Sequence, residues 1–135
     1  MRVLMLYDVL APEAFGGIER RNHELARVLV AHGHQVTLCG LGEGPAGAPY
    51  EVLSLGPAMP LYDQRGRRTA QRALGYALRA GRIDVRRYDA VETASLPYTH
   101  LFPLARTCRR HGVSLAVTWY EFWGPYWRGY VGALK

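Results

Sequence analysis

Five short apolar runs alternate with amphipathic stretches along the 135 residues, and this alternation constrains the fold more than any single motif. Arg2–Tyr7, Gln35–Cys39, Tyr50–Leu55, Tyr88–Thr93 and Ser114–Trp119 read as strands. Ile18–His32, Arg67–Gly81 and Pro97–His111 read as helices, the first stopped by Gly33 and the third by Gly112. Gly40–Pro49 holds four glycines and two prolines, so the third strand follows the second through a loop without a full helix. Strands joined by helices enter a parallel sheet through right-handed crossovers, with helices over both faces. The expected fold is α/β: a doubly wound parallel sheet in three layers, strand order 3-2-1-4-5, as a single domain over residues 1–135.

Each helix carries a readable face. The first places Ile18, Leu25, Ala26, Leu29 and His32 on one side, with Arg20, Arg27 and Ala31 opposite. Asn22 falls inside that stripe, either buried and satisfied or facing a cleft. The second sets Ala70, Ala73, Leu74, Ala77 and Leu78 inward and Arg68, Arg72 and Arg79 outward. That basic side is either a solvated face or a peripheral contact with an anionic membrane. No interleaved aromatics support a nucleic-acid site there. The third turns Leu101, Leu104, Ala105 and Cys108 inward.

Of the 17 basic residues 16 are Arg and the net charge is +6, which suits phosphate-bearing partners. Cys39 and Cys108 sit at core positions and read as small reduced hydrophobes. The five histidines have no metal-ligand spacing, so no metal is expected. No run approaches transmembrane length, and the first apolar run ends at Asp8, short of a signal peptide's apolar region. A cytoplasmic protein is expected, with the membrane periphery as the alternative.

In a sheet of this order, ligands bind beyond the carboxyl ends of the strands, at the switch between strands one and four. The loops there are Asp8–Gly17 and Glu92–Pro97, with Trp119 onward close by. Gly16 and Gly17 let the backbone approach a ligand, and the free N–H groups of the following helix favour a phosphate. The competing reading is a plain turn into a helix. Asp8 is placed to bind an acceptor hydroxyl or to cap its loop, and Glu92, Thr93 and Ser95 ring the same rim. Residues 119–130 hold seven aromatics in 12 positions, which pack on the domain's own back, line a sugar site or cover an interface. Glu121 within them is either an acceptor contact or a solvated loop carboxylate.

Several of these stretches together resemble a known family. Gly16-Gly17-Ile18-Glu19-Arg20, His23-Glu24-Leu25-Ala26 and His32-Gly33-His34-Gln35-Val36-Thr37 are similar to the opening of family 4 glycosyltransferases of the GT-B fold. Tyr88-Asp89-Ala90-Val91-Glu92 and Val117-Thr118-Trp119-Tyr120-Glu121 fit later strands of the same N-terminal domain. The resemblance implies a Rossmann-like, acceptor-binding half of an enzyme that transfers a sugar from a UDP- or GDP-sugar with retention of configuration, without a metal. It assigns the donor diphosphate to Gly16, Gly17 and Arg21, where Arg21 stands in place of a frequent histidine. It assigns the reaction centre to Tyr120 and Glu121, where Tyr120 replaces the histidine of a Thr-x-His pattern. The acceptor, a sugar, glycolipid or small molecule, falls to Asp8, Asn22, Glu92, Thr93, Ser95 and Trp123. The family's C-terminal donor domain is absent from these residues, so the same gene product or a separate chain is expected to supply it. Two other readings stand beside this one. The first is a non-catalytic subunit anchoring a catalytic partner. The second is a dinucleotide-binding oxidoreductase domain, disfavoured because Leu38-Cys39-Gly40 lacks the acidic residue that holds a ribose.

Overall fold

A computed structural model describes residues 1–10, 16–59 and 70–120. Five parallel strands form one sheet: β1 (Arg2–Leu6), β2 (Gln35–Gly40), β3 (Glu51–Ser54), β4 (Ala90–Ala94) and β5 (Ser114–Thr118), in the order β3-β2-β1-β4-β5. The expected strand order is therefore met. The register aligns Leu4 with Thr37 on one side and with Val91 on the other, which puts β1 at the centre. The helices are α1 (Gly17–Ala31), α2 (Ala70–Ala80) and α3 (Leu101–His111).

Side-chain alternation along β1 builds two cores at once. Leu4 and Leu6 join Tyr76, Ala80, Val91, Leu104 and Cys108 beneath α2 and α3. Met5 points the other way, to Ala26, Val36, Leu38 and Leu25 beneath α1. A strand buried on both faces must be apolar at every position, which is why Val3–Leu6 shows no polar break. Cys39 and Cys108 are free and buried in this core, and burial raises the Cys39 thiol pKa to about 12.

The largest departure from the expected arrangement is the orientation of α2. Arg72 is buried, and Leu74 and Leu78 face solvent, the reverse of the apolar-spacing reading. The reason lies one turn along: Tyr76 is the largest fully buried side chain among the described residues, and its ring packs 5.1 Å from His100. Turning Tyr76 inward carries Arg72, four residues earlier, to the same face. Arg72 is accommodated because it finds partners: its Nη2 donates to the Asp8 carbonyl at 3.0 Å, its Nη1 donates to the Met59 carbonyl, and its Nε lies 3.5 Å from Asp8 Oδ2. Arg79 is half-buried near Gly56, and Arg68 lies outside the described residues.

Smaller departures sit at element ends. Tyr98 has φ 60°, so the chain turns through Pro97–His100 and α3 begins only at Leu101. A single 3-10 turn, Val85–Arg87, precedes β4, started by Asp84 accepting from Arg86 N–H. His32 is exposed past the end of α1, with its Nδ1 2.8 Å from the Val28 carbonyl.

Candidate functional site

The carboxyl ends of β1, β4 and β5 and the first turn of α1 come together in one small apolar cluster. Tyr7 and Val9 follow β1, Ala94 ends β4, Ile18 lies in the first turn of α1 and Tyr120 follows β5. The rim expected from the strand order is thus formed, and the Ser95 N–H donates to the Thr118 carbonyl at 2.9 Å to hold two of its edges together.

On this rim stands a connected polar group. Arg21, on the second turn of α1, donates from Nη1 to Glu92 Oε1 at 3.0 Å and to Asn22 Oδ1 at 3.0 Å. Its Nη2 lies 3.4 Å from Thr118 Oγ1, which itself donates to Glu92 Oε1 at 2.6 Å. The Arg21 guanidinium carbon lies 5.8 Å from the centre of the Tyr120 ring. One oxygen of Glu92 is therefore doubly satisfied. Its other oxygen, Oε2, and the Tyr120 hydroxyl are shielded by the chain and have no hydrogen-bond partner at bonding geometry among the described residues. Burial raises the Tyr120 phenol, an effect that Arg21 opposes and Glu92 reinforces. At neutral pH the phenol is a proton-bearing donor and not a base.

The helix start has its own chemistry. Gly16 caps α1 with φ −94°, a conformation any residue adopts. A side chain at Gly17 would meet nothing within 4 Å, so nothing among the described residues requires glycine there. A Cβ at Gly16 would come within 2.7 Å of Glu19 Oε2, the far end of a mobile side chain. Glu19 in the first turn complements the helix dipole.

The other expected site residues divide. Glu92 and Arg21 stand on the rim, joined by an ion pair that neither the spacing nor the resemblance indicates. Asp8 is at the rim's base, but it is buried against Arg72 on the opposite layer and is not offered to the crevice. Thr93 is fully buried: its hydroxyl lies 3.1 Å from the Leu6 carbonyl and 2.9 Å from His100 Nε2. Asn22 is buried and satisfied by Arg21, and Ser95 is buried at the turn after β4. Glu121 and Trp123 lie outside the described residues. Thr118 is the residue that sequence reasoning missed as a site member; its signal was its place at the end of the fifth strand, in register with Ala94.

Elsewhere, a groove of about 510 Å³ opens at the amino ends of the strands, opposite this rim. Part of its polar wall is internally paired, Arg2 with Asp89 and Thr37 with Glu51. Among the described residues no three His, Cys, Asp or Glu side chains gather as a metal site, and no helix is long and apolar enough to cross a membrane.

A family model described as the glycosyl transferase 4-like domain matches residues 16–135, a span that begins at the Gly16–Gly17 helix start. No curated protein matches the chain.

Proposed function

The chain belongs to the glycosyl transferase 4-like domain family, and from that premise we propose that it is the acceptor-side half of a retaining glycosyltransferase. The donor is a UDP- or GDP-sugar held mainly by a second, donor-binding domain, in the same gene product or in a separate chain. The observation that carries this reading is the convergence of the Gly16–Gly17 helix start with Arg21, Glu92, Thr118 and Tyr120 on one rim at the switch point.

Each part has a task. The α1 N–H groups and the unobstructed space over Gly17 receive the donor diphosphate facing across the cleft. Arg21 lends positive charge to the leaving phosphate while staying oriented by Glu92. Acceptor binding turns the shielded Glu92 Oε2 and Tyr120 hydroxyl toward the crevice, where Glu92 accepts a hydrogen bond from an acceptor hydroxyl and Tyr120 donates to a neighbouring sugar oxygen. In the transfer step the acceptor oxygen bonds to the anomeric carbon as the bond to the diphosphate oxygen breaks. The acceptor proton passes to the departing phosphate, so the raised phenol of Tyr120 is not asked to remove it.

Calorimetric titration with UDP, GDP and their sugars tests this, first on the chain alone and then with a donor-binding domain of the same family. The expected result is no nucleotide binding alone, and binding with sugar transfer once the second domain is added. Tight nucleotide binding by the isolated chain overturns the reading, as does the absence of transfer with every donor domain.

A further inference from the structure

α2 and α3 form the layer on one side of the sheet, and what they show to solvent differs from the rest of the molecule. Leu74 and Leu78 on α2 are 59% and 60% exposed, Phe102 on α3 is 80% exposed, and Trp119 after β5 is 62% exposed. Single exposed apolar residues are ordinary; four large ones gathered on one layer are not. Two grooves separate them. One, of about 410 Å³, runs between α2 and α3 over Ala77 and Pro103. The other, of about 530 Å³, runs between α3 and Trp119 over Leu101 and Ala105. α3 is thus a ridge carrying Phe102, and the Tyr98 ring, 5.9 Å from Trp119, supports the far wall.

The charge carried by these two helices has one sign. Besides Arg72, which is buried against Asp8, Ala70–Ala80 and Leu101–His111 contain four arginines and no carboxylate, whereas α1 on the opposite layer carries Glu19 and Glu24. Arg82 borders the first groove, and Arg106 and Arg109 border the second. A second copy meeting this face symmetrically would bring arginine against arginine, and α2 and α3 themselves supply no acid to separate them. A bilayer with anionic headgroups offers both complements: phosphates for the guanidinium groups and an apolar boundary for Phe, Trp and Leu.

We propose that the α2–α3 layer is a docking surface for an anionic lipid bilayer, with Leu74, Leu78, Phe102 and Trp119 at the headgroup boundary and Arg82, Arg106 and Arg109 on lipid phosphates. This surface is not the one expected from the spacing of Arg68, Arg72 and Arg79, since Arg72 is committed to Asp8. It stands independently of the transfer reaction.

Flotation of the full chain with vesicles tests it, comparing phosphatidylcholine alone with phosphatidylcholine containing phosphatidylglycerol. The chain is expected to float with the anionic vesicles only, and less as salt is raised. The double substitution R106Q/R109Q is expected to weaken partitioning roughly 25-fold, at about fivefold per arginine. F102S is expected to weaken it by roughly tenfold. These side chains are exposed, so circular dichroism should show the variants folded. R27Q on α1, also exposed, should bind like the parent. Flotation with neither vesicle, or equally with both, overturns the proposal, as does an equal loss in R27Q. A dimer in the ultracentrifuge that F102S disperses, without vesicle binding, assigns the face to a second copy instead.

Discussion

Replacing Gly17 with alanine separates the two readings of the glycine pair, because it acts oppositely on stability and on function. Gly17 is the first residue of α1, its backbone is compatible with any residue, and a Cβ there meets nothing within 4 Å. If the glycine served the fold, G17A would be destabilising. With this geometry alanine instead restricts the unfolded chain and improves helix propensity, for a gain of roughly 0.4–1 kcal/mol. In a domain of this length that raises Tm by roughly 1–5 °C, at about 3–5 °C per kcal/mol. Transfer should move the other way. The methyl group stands where a diphosphate must approach the α1 N–H groups, and loss of one charge-assisted hydrogen bond costs about 1.5–3 kcal/mol, roughly 10- to 150-fold in rate. Thermal unfolding by circular dichroism and transfer assays with a donor-binding domain read the two effects. A fall in Tm refutes the packing argument, and unchanged transfer refutes the role in donor binding. G16A is the internal comparison: Glu19 must swing aside from the new methyl group, so its effect on stability is smaller or slightly negative.

Three further outcomes are expected. R72M removes the guanidinium beside the buried Asp8 carboxylate and its hydrogen bonds to the Asp8 and Met59 carbonyls, and urea unfolding should show a loss of about 3–5 kcal/mol; a change below about 1 kcal/mol refutes the buried contact. His100 is fully buried and held near pKa 4, below its ordinary 6.5, by desolvation. Between those values the unfolded chain binds a proton that the folded chain does not. Stability therefore rises with pH from about 4 to 6.5 and is flat above, by up to about 3 kcal/mol, at 1.4 kcal/mol per pH unit. H100Q should remove that part of the slope in pH-dependent urea unfolding, and an unchanged slope contradicts the assignment. Neither Cys39 nor Cys108 should react with a thiol reagent such as DTNB until the chain unfolds, since both are buried and burial raises both thiol pKa values. Rapid labelling of the native protein at either position would count against the core packing.

The sheet was legible because its signals are local and repeated. Val3–Leu6 is short, apolar and bounded by Asp8, which fits a strand buried on both faces, and Gly33 and Gly112 mark helix ends without reference to the rest of the chain. The orientation of α2 was not legible. Apolar spacing favoured Leu74 and Leu78, and only the tertiary fit of Tyr76 and the availability of Asp8 decide for the face that holds Arg72. The same holds for the site. Gly16–Gly17 announced a helix start suited to an anion, and the strand order placed the rim. The Arg21–Glu92–Thr118 connection spans 71 and 97 residues of sequence, and no spacing rule reaches that far. Asp8, Thr93 and Ser95 showed the opposite error: polar residues at the ends of strands look available until the packed layers claim them.

The Asp8–Arg72 pair also constrains how this chain can vary by descent. The two positions lie on different elements and answer to different neighbours, yet neither is free to drift alone. Passing from this pair to an apolar one leads through an intermediate that has lost the buried contact from one side, which sits several kcal/mol lower in stability, comparable with the whole margin of an ordinary domain. Among homologous chains, positions 8 and 72 are therefore expected to be exchanged together or not at all. The rim, whose Arg21 and Glu92 still reach water, is expected to tolerate stepwise change, and with it a shift in what the crevice accepts.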